Sequence, residues 1–359
     1  MPDSKETRRD SSTPVVLGVD GGGTKTHYAL FDARGRPIDF STSGPTNHES
    51  LPDGFTGLRN RLEGDLDALL SRNGLTADDV ADAAFGLAGV DTRRQHGIIS
   101  AILHDIGLHR FILCNDSFLG VKAGCVSGYG ICAINGTGFS VGGIDRHGSM
   151  LQIGGLGELT GDEGGGGILS QRVIRAIYDH LYKGMPATLL QDLLFRRLGI
   201  TDPADYPELL LEALAEGRCQ FAEIGRTVFE AADQCDAVAL EILDHSGREY
   251  ARSIQGVLGR LDFGSQEQPL PLELVLAGSV FVKGSNPRTI RTMTDLLAAW
   301  NPTRKIILSK LSSPPVLGAV LWALEAFEIP DCRTLVTEGL AALLENAQDP
   351  NEPKPLIYL

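Results

Sequence analysis

No stretch of this sequence is apolar for long enough to span a bilayer, and the N-terminus, MPDSKETRRDSST, lacks the apolar core of a secretion signal or anchor. Residues 1–13 are expected to form a disordered tail and 346–359 a C-terminal tail, and the cytoplasm is the default location. Basic charge is also scarce. Against 46 Asp and Glu stand 32 Lys and Arg, a formal net charge of -14, so a nucleic acid would be repelled and any phosphate must be held by a local device. The six cysteines (Cys114, Cys125, Cys132, Cys219, Cys235, Cys332) form no CxxC pair and do not alternate with histidine at metal-ligand spacing. They read as buried reduced thiols, with an iron–sulfur cluster shared between two subunits kept as the alternative.

What is present is a soluble, globular composition, 42% hydrophobic and 22% charged, in 359 residues. That length exceeds one ordinary core and sets two domains as the starting expectation. Val15 to Phe40 (VVLGVDGGGTKTHYALFDARGRPIDF) alternates strand, glycine turn, strand, tight hairpin, strand. Gly128 to Ile153 (GYGICAINGTGFSVGGIDRHGSMLQI) repeats this plan. After each meander come amphipathic helices and short apolar strands, an alternation that predicts an α/β fold with two similar lobes, 14–127 and a larger, more helical 128–345. The first lobe carries helical patterns over Leu51–Ser71 and Thr92–Ile106 and strands over Ala83–Leu87 and Phe111–Asn115. In the second, helical patterns cover Gly164–Lys183, Ala187–Leu198, Leu209–Asp233 and Ala237–Leu261, followed by a strand over Leu272–Gly278.

A lone GGGT is weak evidence, because glycines mostly serve tight bends. Two such turns at the first hairpin of a repeated meander are more specific. Backbone N–H groups of both could cradle a polyphosphate. Asp20, directly before the glycines, could reach a hydrated Mg²⁺, with a turn-initiating role as the alternative. Thr24 could hydrogen-bond a phosphate and Lys25 supply charge, unless Lys25 is simply a solvated strand-edge residue.

In FILCNDSFLG an apolar strand delivers Asp116 to its carboxyl end, where α/β sheets bind ligands; the carboxylate there suits a general base for an attacking hydroxyl, or a helix N-cap. The loops after the third strands carry Asn47 and His48 in one case and Glu158, Asp162 and Glu163 (within Gly154–Gly167) in the other. Both are suited to gripping hydroxyls, and the second also suits a lid. In LELVLAGS, small residues at Ala277, Gly278 and Ser279 would let an adenine lie against the backbone, or simply make a turn.

DGGGTKT, Thr46–His48, Leu87–Gly89, Asn115–Asp116, NGTG at Asn135–Gly138, GDEG at Gly161–Gly164 and AGSV at Ala277–Val280 together resemble the BadF/BadG/BcrA/BcrD ATPase family, and within it the N-acetylglucosamine kinases. The resemblance runs from Val15 to Glu325. It implies a two-lobed, actin-like ATPase (ribonuclease H-like) fold with a nucleotide cleft between lobes, and transfer of the ATP γ-phosphate to the 6-hydroxyl of an amino sugar.

By this resemblance Gly22, Gly23, Thr24, Lys25, Thr137 and Gly138 hold the ATP phosphates, and Gly278 and Ser279 border the adenosine. Asp116 is the base, and Asn47, Asp116, Gly155 and Asp162 contact the sugar. ATP and Mg²⁺ are the cofactors and a small-molecule sugar the partner, with no nucleic acid, no membrane and a homodimer as the candidate assembly. Leu156, Ala88 and Ser140 depart from the N-acetylglucosamine kinase pattern at sugar-side positions. An ATPase that activates a redox partner, with Cys125 and Cys132 as cluster candidates, is the alternative within the family. A sugar sensor is disfavoured, because only a dozen or so polar residues precede the first strand and leave no room for a DNA module.

Overall fold

The computed structural model describes residues 13–265 and 267–347, so the two tails assigned from the sequence lie, apart from their inner ends, outside the described residues. The chain divides into two compact units. One comprises residues up to Gly124 together with Ser312 onward, the other Cys125–Leu311.

The first unit opens with the meander β1 (Val15–Gly21), β2 (Thr26–Asp32) and β3 (Pro37–Ser43), each antiparallel to the next. The strands β4 (Val80–Leu87) and β5 (Phe111–Cys114) run parallel to β1, giving the order β3-β2-β1-β4-β5. Helices α1 (Gly54–Arg72) and α2 (Arg93–Asp105) lead into β4 and β5, and α3 (Asp116–Gly124) follows β5. The central strands β1 and β2 are buried almost throughout, as their near-continuous apolar sequences require. Leu58, Leu62, Leu66 and Leu69, one per turn of α1, close the core over Leu17, Tyr28 and Phe85.

The second unit repeats the meander with β6 (Gly130–Asn135), β7 (Phe139–Ile144) and β8 (Met150–Gly154). Six helices follow: α4 (Gly165–Lys183), α5 (Leu189–Leu198), α6 (Tyr206–Ala215), α7 (Phe221–Ile224), α8 (Thr227–Asp233) and α9 (Ala237–Leu258). Then come β9 (Leu272–Ala277), α10 (Ser279–Lys283), α11 (Arg288–Trp300) and β10 (Ile306–Lys310). Its sheet order, β10-β9-β6-β7-β8, mirrors the first sheet strand for strand, with β9 and β10 parallel to β6. The duplication inferred from two hairpins is thus a duplication of topology.

Two expectations need correction. The pattern over Leu209–Asp233 is not one helix but α6, α7 and α8. Gly217 ends the first in a left-handed conformation (φ +69°), and Gly225 lies where a Cβ would come within 2.9 Å of the Gly166 carbonyl oxygen. Secondly, residues from Ser312 group with the first unit, whereas the sequence boundary put 128–345 together. The returning segment carries α12 (Val316–Leu324) and α13 (Cys332–Ala347). α12 is apolar all round and buried, and glycines bring it against the first sheet: a Cβ on Gly18 of β1 would lie 2.7 Å from Val320 N, and one on Gly318 2.2 Å from Leu119 O of α3.

Candidate active site

Parallel pairing aligns the carboxyl ends of β1, β4 and β5, with Asp20 opposite Gly86 and Gly86 opposite Cys114. Asp20 therefore stands beside the turns that follow β4 and β5, which carry Ala88–Asp91 and Asn115–Asp116. The side chain of Asp20 is 17% exposed. Burial, and then the charge of Asp116, push its pKa up to about 7, against the opposing pull of Lys25. Burial and then Asp91 push Asp116 up to about 6, while the N–H groups of Ser117 and Asp116 at the start of α3 offset part of the rise. His27 faces Asp20 across the hairpin at 3.9 Å, yet burial and Lys25 lower its pKa to about 4, so near neutral pH this contact is not an ion pair.

The N-cap role that competed for Asp116 falls to its neighbour. Asn115 Oδ1 accepts the Ser117 N–H at 3.0 Å, and Asn115 Nδ2 donates to Asp91 Oδ1 at 3.0 Å. Among the described residues no group of three or more His, Cys, Asp or Glu is placed to hold a metal. A site offering one or two carboxylates fits Mg²⁺, which keeps several waters and takes its remaining ligands from phosphate oxygens.

The glycine turns are not built as strained bends. Neither Gly22 nor Gly23 has a positive φ, and a Cβ on Gly23 would meet nothing within 4 Å. The same is true of Gly138 in the second unit. The backbone there would accept an alanine, so tight-bend geometry does not explain these glycines. Their bareness leaves open space over exposed backbone, as close approach of a polyanion demands. If this space takes the phosphates, Gly23→Ala is expected to leave thermal stability unchanged or slightly higher while raising the ATP KM about tenfold or more, since the added methyl would occupy it. Thermal denaturation alongside ATP titration checks this; an unchanged KM would reduce the glycine to a turn residue.

The loop carrying Asn47 is hung directly on the first turn. Thr46 and Asn47 donate their N–H groups to Gly22 O at 3.2 and 3.3 Å. The Thr46 hydroxyl packs over Gly21, where a Cβ would lie 2.2 Å from it. Asn47 Oδ1 accepts the Glu49 N–H at 2.9 Å, which leaves Nδ2 as the amide's remaining hydrogen-bonding group. His48 does not share this role. It is buried face to face on Phe55, ring centroids 4.0 Å apart, and burial lowers its pKa.

In the second unit three glycine segments converge. Gly165, at the start of α4, donates its N–H to Asn135 Oδ1 at 2.8 Å, and Gly166 donates to Gly136 O at 2.8 Å. Gly278 has φ +87°, and a Cβ on it would lie 2.4 Å from Asn135 O; one on Gly165 (φ +86°) would lie 2.6 Å from Thr137 O. Here glycine is obligatory. The first turn of the nineteen-residue α4 is thereby set against the Thr137–Gly138 turn, an arrangement of helix N-terminus and bare backbone suited to an anion. A cavity of about 170 Å³ adjoins it, lined by Asn135, Phe229, Val280, Phe281, Ile290 and Lys310 among others, on the face of α10 beyond Gly278 and Ser279.

Gly155 and Asp162 meet, but in each other's service: Asp162 Oδ2 accepts the N–H groups of Gly155 (2.9 Å) and Gly157 (2.7 Å). Glu163 is turned away from hydroxyl binding by Arg172 at 2.5 Å and His245 at 3.6 Å, and Arg172 holds its pKa down despite partial burial. Leu156 is half exposed, and Ser140 is buried in β7. Asp20, Gly22–Lys25, Asn47 and Asp116 are thus gathered in the first unit, and Thr137, Gly138, Gly278 and Ser279 in the second. The sequence reading gave no role to Asp91, Asn135 or Gly165, although Asn135 and Gly165 lie within the NGTG motif and the Gly154–Gly167 loop and Asp91 follows the Leu87–Gly89 motif.

Two units with the same strand order, each with a bare glycine turn at its first hairpin and the first with carboxylates at its parallel strand ends, define the duplicated actin-like α/β fold of nucleotide-dependent phosphotransferases and ATPases. The chain belongs to the BadF/BadG/BcrA/BcrD ATPase family, whose model matches residues 17–323. Among curated proteins it is 25% identical over 74% of its length to an N-acetylmuramic acid/N-acetylglucosamine kinase of Clostridium acetobutylicum, of which it covers 85%. It is 24% identical over 88% of its length to an N-acetyl-D-glucosamine kinase of Dictyostelium discoideum, covering 99% of that protein. A crystal structure from Chromobacterium violaceum assigned to N-acetylglucosamine kinase superposes on 88% of this chain and 100% of its own, with a TM-score of 0.63 at 22% identity, and so shares its fold.

Proposed function

We propose that this protein is an ATP-dependent kinase that transfers the γ-phosphate to the 6-hydroxyl of an amino sugar of the N-acetylglucosamine or glucosamine type. The observation that carries the reading is Asp116. It is a carboxylate at the first position of α3, with Asn115 before it bonding the Ser117 N–H and its own pKa raised to about 6, on the same strand-end edge as a glycine turn whose bareness backbone geometry does not explain. Amino-sugar kinase names among full-length relatives supply the substrate class.

In this reading Gly22–Lys25 and Thr137–Gly138 hold the phosphates, and the cavity beside Gly278 and Ser279 takes the adenosine. Asn47 Nδ2 donates to a sugar oxygen, and Gly155 and Asp162 form the second sugar-side loop. Asp116 accepts the proton of the attacking hydroxyl as its oxygen bonds to the γ-phosphorus and the bond to the β-phosphate oxygen breaks, leaving ADP. Mg²⁺ carried by the phosphates would neutralise developing charge. Asp20 would hold its hydration shell, and Lys25 adds a second positive charge.

The redox-activator alternative finds no support in the cysteines, since Cys125 and Cys132 are both fully buried and Cys132 lies within β6. A coupled ADP-release assay with MgATP against N-acetylglucosamine, glucosamine, N-acetylmannosamine, N-acetylmuramic acid and glucose tests the proposal. Turnover is expected with at least one amino sugar and more weakly or not at all with glucose. Release of ADP independent of every sugar would sink it.

A further inference from the structure

Within the first unit, the loop that presents Asn47 and the segment that presents Asp116 are joined by an unbroken run of hydrogen bonds. The Glu49 N–H holds Asn47 Oδ1 at 2.9 Å, and Gln95 Nε2 donates to Glu49 Oε1 at 3.0 Å. Gln95 Oε1 accepts the Asp91 N–H at 3.1 Å, Asp91 Oδ1 accepts Asn115 Nδ2 at 3.0 Å, and Asn115 Oδ1 accepts the Ser117 N–H at 3.0 Å.

Gln95 is the hinge of this run, and its two ends do different work. Its Oε1 completes the capping box of α2, taking the N–H (2.8 Å) and hydroxyl (2.9 Å) of Thr92, while Thr92 Oγ1 accepts the Gln95 N–H (3.2 Å). Capping needs only that oxygen, and at a helix N-terminus a glutamate would serve at least as well. The Nε2 is surplus to the cap. It reaches a residue 46 positions earlier, on the loop that hangs from the first glycine turn.

We propose that Gln95 is a positioning residue that fixes the Asn47 loop in register with the strand-end segment carrying Asp116. Its consequence for sugar binding rests on the amino-sugar kinase reading; the bridge itself does not. Gln95 touches neither reacting atom, so its effect belongs mainly in the KM for sugar.

Gln95→Glu isolates the bridge from the cap. The capping oxygen remains, while the donor to Glu49 becomes a carboxylate facing a carboxylate. Adding Glu49→Gln in the same chain restores the bond with donor and acceptor exchanged, because the amide then sits on the loop and the carboxylate on the helix. For Gln95→Glu we expect unchanged thermal stability, faster amide exchange at residues 46–50, and a sugar KM raised about fivefold or more, the worth of one net hydrogen bond plus repulsion. The ATP KM should move less than about twofold, and the reciprocal double variant should recover both exchange and sugar KM. Unchanged exchange in Gln95→Glu, or a double variant as impaired as the single one, would overturn the proposal. Wild-type protein that phosphorylates no sugar would instead overturn the kinase reading, while the exchange arm would still decide the bridge.

Discussion

Replacing Asp116 with asparagine is expected to lower kcat by about 10²–10⁴-fold, the usual contribution of a positioned general base, with KM values for ATP and sugar little changed. The side chain keeps its size and place after Asn115 but can no longer take up a proton. The same change should stabilise the protein. The pKa of Asp116 in the fold, about 6, lies above the roughly 3.9 of an unfolded aspartate. Between those values the folded state binds the extra proton, so stability falls as pH rises through that window and is lower by the full amount at pH 7. Removing the charge relieves this, raising Tm at neutral pH by about 2–4 °C for each kcal/mol recovered. An inactive but more stable Asp116→Asn separates a catalytic carboxylate from a structural one. An inactive and less stable variant would point to the helix start instead.

The second large effect concerns Asp20. Asp20→Asn is expected to lower kcat by about 10²-fold or more and to raise the Mg²⁺ concentration required, because a neutral amide holds the hydration shell of a divalent cation poorly. In the protein alone, burial and Asp116 put its pKa near 7, so a cation must compete with a proton for this carboxylate. At saturating Mg²⁺ the acid limb of the kcat/KM profile should therefore lie near pH 6, where Asp116 loses function on protonation. At limiting Mg²⁺ it should move upward toward pH 7. In Asp20→Asn the limb should cease to depend on Mg²⁺. A limb that stays fixed in the wild type at every Mg²⁺ concentration would remove Asp20 from the metal's surroundings.

The duplicated meanders were legible in the sequence because local signals carry them: period-two apolar runs and tight DARG and DRHG hairpins with fixed offsets. The placement of Asp116 was legible for a related reason, since an apolar strand ending in a short polar pair carries it to the carboxyl end of a parallel sheet. The home of α12 was not. A nine-residue helix apolar on all sides states only that it is buried, and it is the close approach at Gly18 that ties it to the first sheet and at Gly318 that ties it to α3.

Side-chain commitments over long separations were equally hidden. Glu163 sits in the GDEG motif but is taken by Arg172 and by His245, the latter far along the chain. Asp162 is occupied by two backbone N–H groups of its own loop. The bareness of Gly23 and Gly138 could be interpreted only once their φ angles and surroundings were known, because the same letters serve a bend or a phosphate equally well.

The most direct test follows phosphorus through one reaction. Purified protein with MgATP and N-acetylglucosamine or glucosamine, observed by phosphorus NMR, is predicted to form ADP and a sugar phosphate in equal amounts, with the new phosphate coupled to the protons on carbon 6. ADP accompanied by inorganic phosphate, with no sugar ester across the panel of hexoses and amino sugars, would contradict the account.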